Sequence, residues 1–142
     1  GYELASPALV SSIDQLLGFA QERSFVSIQC YLDRTAIPEA MELRRIVASR
    51  TSRPTTFGWG PRFLHSTGQY HKGGPQQGVY LQIVSGSKDD QPIPGRQFGY
   101  RALIASQADG DAEVLSASGS KVLRIRLANP ADGIDRLIGL LS

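Results

Sequence analysis

Only one of the 142 residues is cysteine, one is tryptophan, one is methionine and two are histidine. The single cysteine, Cys30, excludes an intramolecular disulfide framework and any thiolate metal cluster. It stands in an apolar run and reads as a buried strand residue, because a free thiol packs like a small hydrophobe. The two histidines, His65 and His71, are six residues apart. On one helix that spacing turns the second about 240° from the first, so they share no metal-binding face. There is no His-Glu-x-x-His pattern and no Gly-x-Ser-x-Gly elbow. Neither a metal nor a cofactor is therefore expected.

Charge of one sign is also missing. Fifteen Lys and Arg stand against thirteen Asp and Glu with no basic run, a balance that gives no charge-based reason to bind nucleic acid or a membrane surface. Arg44, Arg45 and Arg50 read as the solvated face of a helix. No stretch approaches the roughly 18 apolar residues of a membrane span, and no secretory leader is visible. A cytoplasmic setting is expected by default.

What is present alternates between two periodicities. Ser6-Pro7 reads as an N-cap with proline at the first helical position, and Leu9, Ile13, Leu16, Leu17 and Ala20 keep helical spacing to about Glu22. Phe25 to Leu32 is a short, mostly apolar run of strand character. Pro38 reopens a helix that ends near Arg50, with Met41, Ile46 and Val47 on its apolar side and Glu39, Glu42, Arg44 and Arg45 outward. Thr55 to Phe57 is a brief strand, and Val79 to Val84 is the clearest strand of the chain. Ser85 to Gly95 reads as an exposed loop. Helices are expected over Phe98 to Ala108 and Asp111 to Ser118. Val122 to Leu127 alternates in period two, as an edge strand with one wet face does. A last helix starts at Pro130 behind Asn129. Strands alternating with helices predict one α/β domain over 1–142, with a mostly parallel sheet flanked by helices.

The densest chemistry lies between Gly58 and Gly74. Both histidines and the only tryptophan fall there, with five glycines and with Arg62, Gln69 and Lys72 between them. Glycine marks places where backbone turns or comes close to something, while histidine, arginine and lysine move protons and hold anions. The segment follows the Thr55–Phe57 strand, and ligands of parallel sheets bind beyond the carboxyl ends of strands. Gly58-Trp59-Gly60 starts like a dinucleotide fingerprint but lacks the third glycine at the right offset. The set suits acid–base work on a polar, anionic metabolite. The plainer alternative is that His65 is a helix-terminal histidine bonded to backbone, and that His71 and Lys72 close a helix before Gly73.

The run Gly-Pro-Arg-Phe-Leu-His-Ser-Thr-Gly-Gln-Tyr-His-Lys-Gly-Gly at Gly60–Gly74 resembles the glucose-6-phosphate isomerase portion of bifunctional transaldolase/glucose-6-phosphate isomerases. The resemblance extends through Val79–Val84, Pro92–Gly95 and Leu123–Leu127, roughly the last ninety residues. It implies a sugar-isomerase (SIS) α/β domain, the C-terminal fragment of a longer chain, whose active site is shared with a preceding SIS domain and which a transaldolase domain precedes. It implies interconversion of glucose 6-phosphate and fructose 6-phosphate through an enediol, with a phosphorylated sugar as ligand. By the family's spacing of histidine and glutamine, His65 with Gln69 matches the ring-opening histidine, and His71 is the second candidate. Arg62, Gln69 and Lys72 are the expected substrate-binding residues. The family's Glu-Ser-Asn-Gly-Lys motif is absent; Asp33 follows the first strand, and Lys121 is the only lysine after Lys88. The reading from another class is a non-catalytic SIS module that binds a phosphorylated sugar or a partner domain.

Overall fold

A computed structural model describes residues 7–20, 24–60, 78–86, 108–110, 113 and 121–142. The first helix, α1 (Pro7–Gly18), carries proline at its start and buries Leu9, Ile13, Leu16 and Leu17. It stops at Gly18, short of the expected Glu22, because a glycine there favours leaving the helix. Strand β1 (Phe25–Tyr31) follows. Pro38–Met41 then forms a single 3₁₀ turn before helix α2 (Glu42–Thr51). That tighter turn corrects the reading of Met41. It rotates the side chain outward to 56% exposure, and Leu43 takes the inward position. Helix α2 ends on Ser52 in the left-handed conformation (φ 54°, ψ 33°), whose N–H closes on the Ala48 carbonyl at 2.8 Å. Pro54 then carries the chain into β2.

Strands β2 (Thr55–Trp59), β3 (Gly78–Ser85) and β4 (Lys121–Leu127) complete a four-stranded sheet of order β2-β1-β3-β4 with every pairing parallel. Helix α3 (Pro130–Leu141) closes the fold. Asn129 caps it by accepting from the Asp132 N–H at 3.3 Å, with Pro130 in the first turn, as the sequence signals. The layered α/β class is therefore as expected, and the expected edge strand is β4 among the described strands. Residues 108–110 and Glu113 are helical. The remainder of the two helices read over 98–118 lies outside the described residues.

Parallel register puts partner residues on the same face of the sheet, and the two faces differ sharply. One presents Val26, Ile28, Cys30, Val79, Leu81, Ile83, Ile125 and Leu127, packed against the apolar sides of α1, α2 and α3. Each fully buried Leu, Ile or Val there contributes about 1.5–3 kcal/mol. The other face carries Ser27, Gln29 and Tyr31 on β1, Gly58 on β2, Tyr80, Gln82 and Val84 on β3, and Arg124 and Arg126 on β4. Ser27, Gln29, Tyr31, Tyr80 and Gln82 are nevertheless buried. Ala108 lies on this second face, hydrogen-bonded to Gln82. Chain direction explains this. The step from β1 to β2 runs one way across the sheet and that from β3 to β4 the other, so right-handed crossovers fall on opposite faces.

Candidate functional site

Strand order reverses between β1 and β3, and such a switch point opens a crevice at the carboxyl ends of the two strands. Three chain segments leave the sheet there: Leu32–Thr35 after β1, Gly60 after β2 and Gly86 after β3. Gly60 donates its N–H to the Cys30 carbonyl at 2.8 Å and packs against the ring of Tyr31, where a Cβ would come within 2.4 Å of a ring carbon. Glycine at 60 is thus a packing requirement, and it fixes where the histidine-containing segment leaves β2. That strand runs two residues beyond the expected Phe57, so Gly58 and Trp59 are strand residues. Trp59 packs against the core and edge-on to Phe57, with centroids 5.1 Å apart. This rules out a phosphate-binding loop at Gly58-Trp59-Gly60. Gly86 donates to the Leu127 carbonyl at 2.7 Å and holds the end of β3 to β4.

One oxygen of the Asp33 carboxylate is engaged by its own turn. Its Oδ1 accepts from the Thr35 N–H at 2.9 Å, the Thr35 hydroxyl at 2.6 Å and the Ala36 N–H at 3.2 Å. The Thr35 hydroxyl first, and then the two backbone N–H groups, hold its carboxyl below the usual range. A proton shuttle near neutral pH needs a raised carboxyl, so Asp33 is a turn-former and a poor substitute for the family's glutamate. Lys121 starts β4, at the amino end of a parallel sheet and opposite the crevice, with its Nζ 4.9 Å from the ring centroid of Phe19. It does not fill the family's lysine position at this crevice. Cys30 is fully buried on the apolar face, as expected, and burial pushes its thiol up to about 12 against a smaller opposing hydrogen bond from the Leu32 backbone.

Below the crevice, one row crosses the polar face: Gly58, Gln29, Gln82 and Arg124, neighbours in register on four strands. Gln82 uses both ends of its amide. Its Nε2 donates to the Ala108 carbonyl at 3.0 Å, and its Oε1 accepts from Arg124 Nε at 2.6 Å. Arg124 also donates to the Ala108 carbonyl at 2.9 Å and pairs with Asp109. Gln29, 2% exposed, has an Oε1 without a partner among the described residues. The sequence reading missed this row, although its signal was available: Ser27, Gln29 and Gln82 are the polar residues on one face of two otherwise apolar strand runs.

His65, His71, Arg62, Gln69 and Lys72 all lie outside the described residues. Among the described residues no three His, Cys, Asp or Glu side chains gather as a metal would require, and no helix is long and apolar enough to cross a membrane. A separate cavity of about 400 Å³ lies between α2 and α3, lined by Arg45, Ile46, Ser49, Arg50, Leu141 and Ser142. It is on the helical side, away from the crevice. Arg50 is held there by Asp14 at 2.7 Å and the Leu141 carbonyl at 3.5 Å.

No protein-family model matches the chain, and no curated protein matches it in sequence. Its fold is similar to that of a hypothetical protein, TT0462, from Thermus thermophilus, with a TM-score of 0.76 over 96% of this chain at 17% identity. The chain spans 40% of that protein's length. At such identity the likeness establishes the layered α/β fold alone.

Proposed function

We infer that this chain is an SIS-type half of an aldose–ketose isomerase that interconverts glucose 6-phosphate and fructose 6-phosphate, with a site completed by a preceding SIS domain. The observation that carries the reading is the delivery of the Gly60–Gly74 segment from β2 at the carboxyl edge of the sheet, beside the switch point. His65 then opens the sugar ring by passing a proton between the ring oxygen and O1, with Gln69 beside it and Arg62 or Lys72 as the cation. His71 is the second acid–base candidate. Chemistry demands a carboxylate to carry the proton between C1 and C2. Asp33 is tied into its turn, so the carboxylate comes from outside the described residues.

The non-catalytic alternative, an SIS module that only holds a phosphorylated sugar or a partner domain, is favoured by one specific finding. Neither Asp33 nor Lys121 stands ready at the crevice for catalysis. A coupled assay on fructose 6-phosphate separates the two readings. In the longer protein, His65→Gln should slow conversion of the closed sugar by about 10²-fold, the scale of a positioned acid–base group, with a smaller loss on an acyclic sugar phosphate. Residues 1–142 alone should be nearly inactive. Absence of turnover in the intact longer protein would leave the binding module. A larger loss for His71→Gln would reassign the ring-opening histidine.

A further inference from the structure

We propose that Gln29 is the hydrogen-bond acceptor of a ligand subsite on the polar face of the sheet, and that it receives a hydroxyl group of the bound molecule. The inference rests on the reading of the crevice as a sugar-phosphate site and names one contact within it.

Four observations bear on Gln29. It is almost wholly removed from solvent, with an exposure of 2%, and its Oε1 has no hydrogen-bond partner among the described residues. A buried polar atom in that condition costs about 1–3 kcal/mol, and native folds rarely keep one without a reason. Its neighbour in register on β3, Gln82, directs its amide elsewhere, the Nε2 donating to the Ala108 carbonyl and the Oε1 accepting from Arg124. Its neighbour on β2 is Gly58, which has no side chain to offer as a donor. Finally, Gln29 lies two residues before Tyr31, the last residue of β1, on the same face and about 7 Å below the switch-point crevice at strand rise.

The chemistry selects the guest. An amide oxygen accepts and does not donate, so the group that meets it carries a hydrogen. The nearest cation in the row, Arg124, is already held by Gln82, Ala108 and Asp109. A phosphate at this depth would therefore face an acceptor with no free positive charge beside it in this row of described residues. A neutral hydroxyl fits, with the phosphate of the same molecule lying further out. Free inorganic phosphate should not report on Gln29.

The test uses Gln29→Met, which keeps the length of the side chain and removes its polar atoms. With no ligand present, the variant should unfold at a Tm about 3 °C or more above the parent chain, because an uncompensated buried acceptor has been removed. In the full-length protein it should bind fructose 6-phosphate at least tenfold more weakly, while affinity for inorganic phosphate changes less than twofold. A stabilised variant that loses its sugar marks a residue kept for ligand at the expense of stability. A fall in Tm would show that the amide is structural and would overturn the proposal. So would undiminished affinity for fructose 6-phosphate, even with isomerisation intact, an outcome that leaves the isomerase reading standing. Conversely, a raised Tm and weakened sugar binding in a protein that never turns the sugar over would uphold Gln29 and remove the isomerase.

Discussion

Gly60→Ala sets two effects of opposite sign against each other. Gly60 keeps a φ outside the left-handed region, so alanine suffers no backbone strain there and, by restricting the unfolded chain, would by itself add about 0.4–1 kcal/mol. Sterics oppose it. The new Cβ would stand 2.4, 2.6 and 2.8 Å from Cε1, Cδ1 and Cζ of Tyr31, all inside the contact distance of carbon atoms. The ring has little room to yield, for Tyr31 is 2% exposed and packs with Val84 and Ala108. Overpacking of this kind costs about 1–3 kcal/mol, so the steric term wins and the variant should lose about 1–2 kcal/mol. Urea unfolding of a double-mutant cycle with Tyr31→Val isolates the cause, since valine ends at Cγ and removes every clashing atom. In that background Gly60→Ala should change sign and become stabilising. An equal cost in both backgrounds would refute the steric account. A neutral Gly60→Ala in the parent chain would show that the exit of β2 gives way easily.

Two further predictions follow from the strand ends. Cys30, buried and with its thiol pushed up to about 12, should ignore an aromatic disulfide reagent at pH 8 in the native chain and react as one thiol per chain in denaturant; fast native reaction would contradict its placement. Asp33→Ala should destabilise the chain by about 0.5–1 kcal/mol at pH 7, the low end for a capping carboxylate that is solvent-exposed. Because the folded carboxyl is held below its unfolded value, the advantage is present above the ordinary carboxylate range and disappears as pH falls through the lowered value. A gap between parent and variant that persists unchanged at acid pH would sink this account.

Fold was legible wherever the chain punctuates itself. Pro7, Pro38 and Pro130 start helical segments, Asn129 caps, and alternation in Val122–Leu127 marks the edge strand. Met41 misled because helical spacing was counted from Pro38 through a 3₁₀ turn of different pitch. The end of β2 misled for a similar local reason: glycine disfavours strands in general, yet Gly58 pairs in register with Gln29 inside β2, a tertiary fact with no trace in its own segment. The polar row was half legible. Period-two alternation of Ser27 and Gln29 against Val26, Ile28 and Cys30 was present, but burial of the polar set depends on what covers the second face. For the candidate site, sequence chemistry singled out a segment and the sheet explains the position from which it departs.

Every pairing among the described strands is long-range. Val26 meets Thr55, Phe25 meets Gly78 and Val79 meets Lys121, separations of 29, 53 and 42 residues. No hairpin joins the described strands, and loop closure differs by only about 0.5 kcal/mol between the nearest and the farthest of these partners. Assembly therefore waits on several slow closures at once, as parallel topologies do. The strand with most at stake is β3, an uncharged stretch, Gly78–Ser85, that finishes almost wholly buried between two neighbours. Until both arrive it is an open β-prone template. The segment that is most secure in the finished fold is therefore the one most exposed to self-association during synthesis and refolding, and dilution rather than temperature is the variable that should govern the yield of native chain.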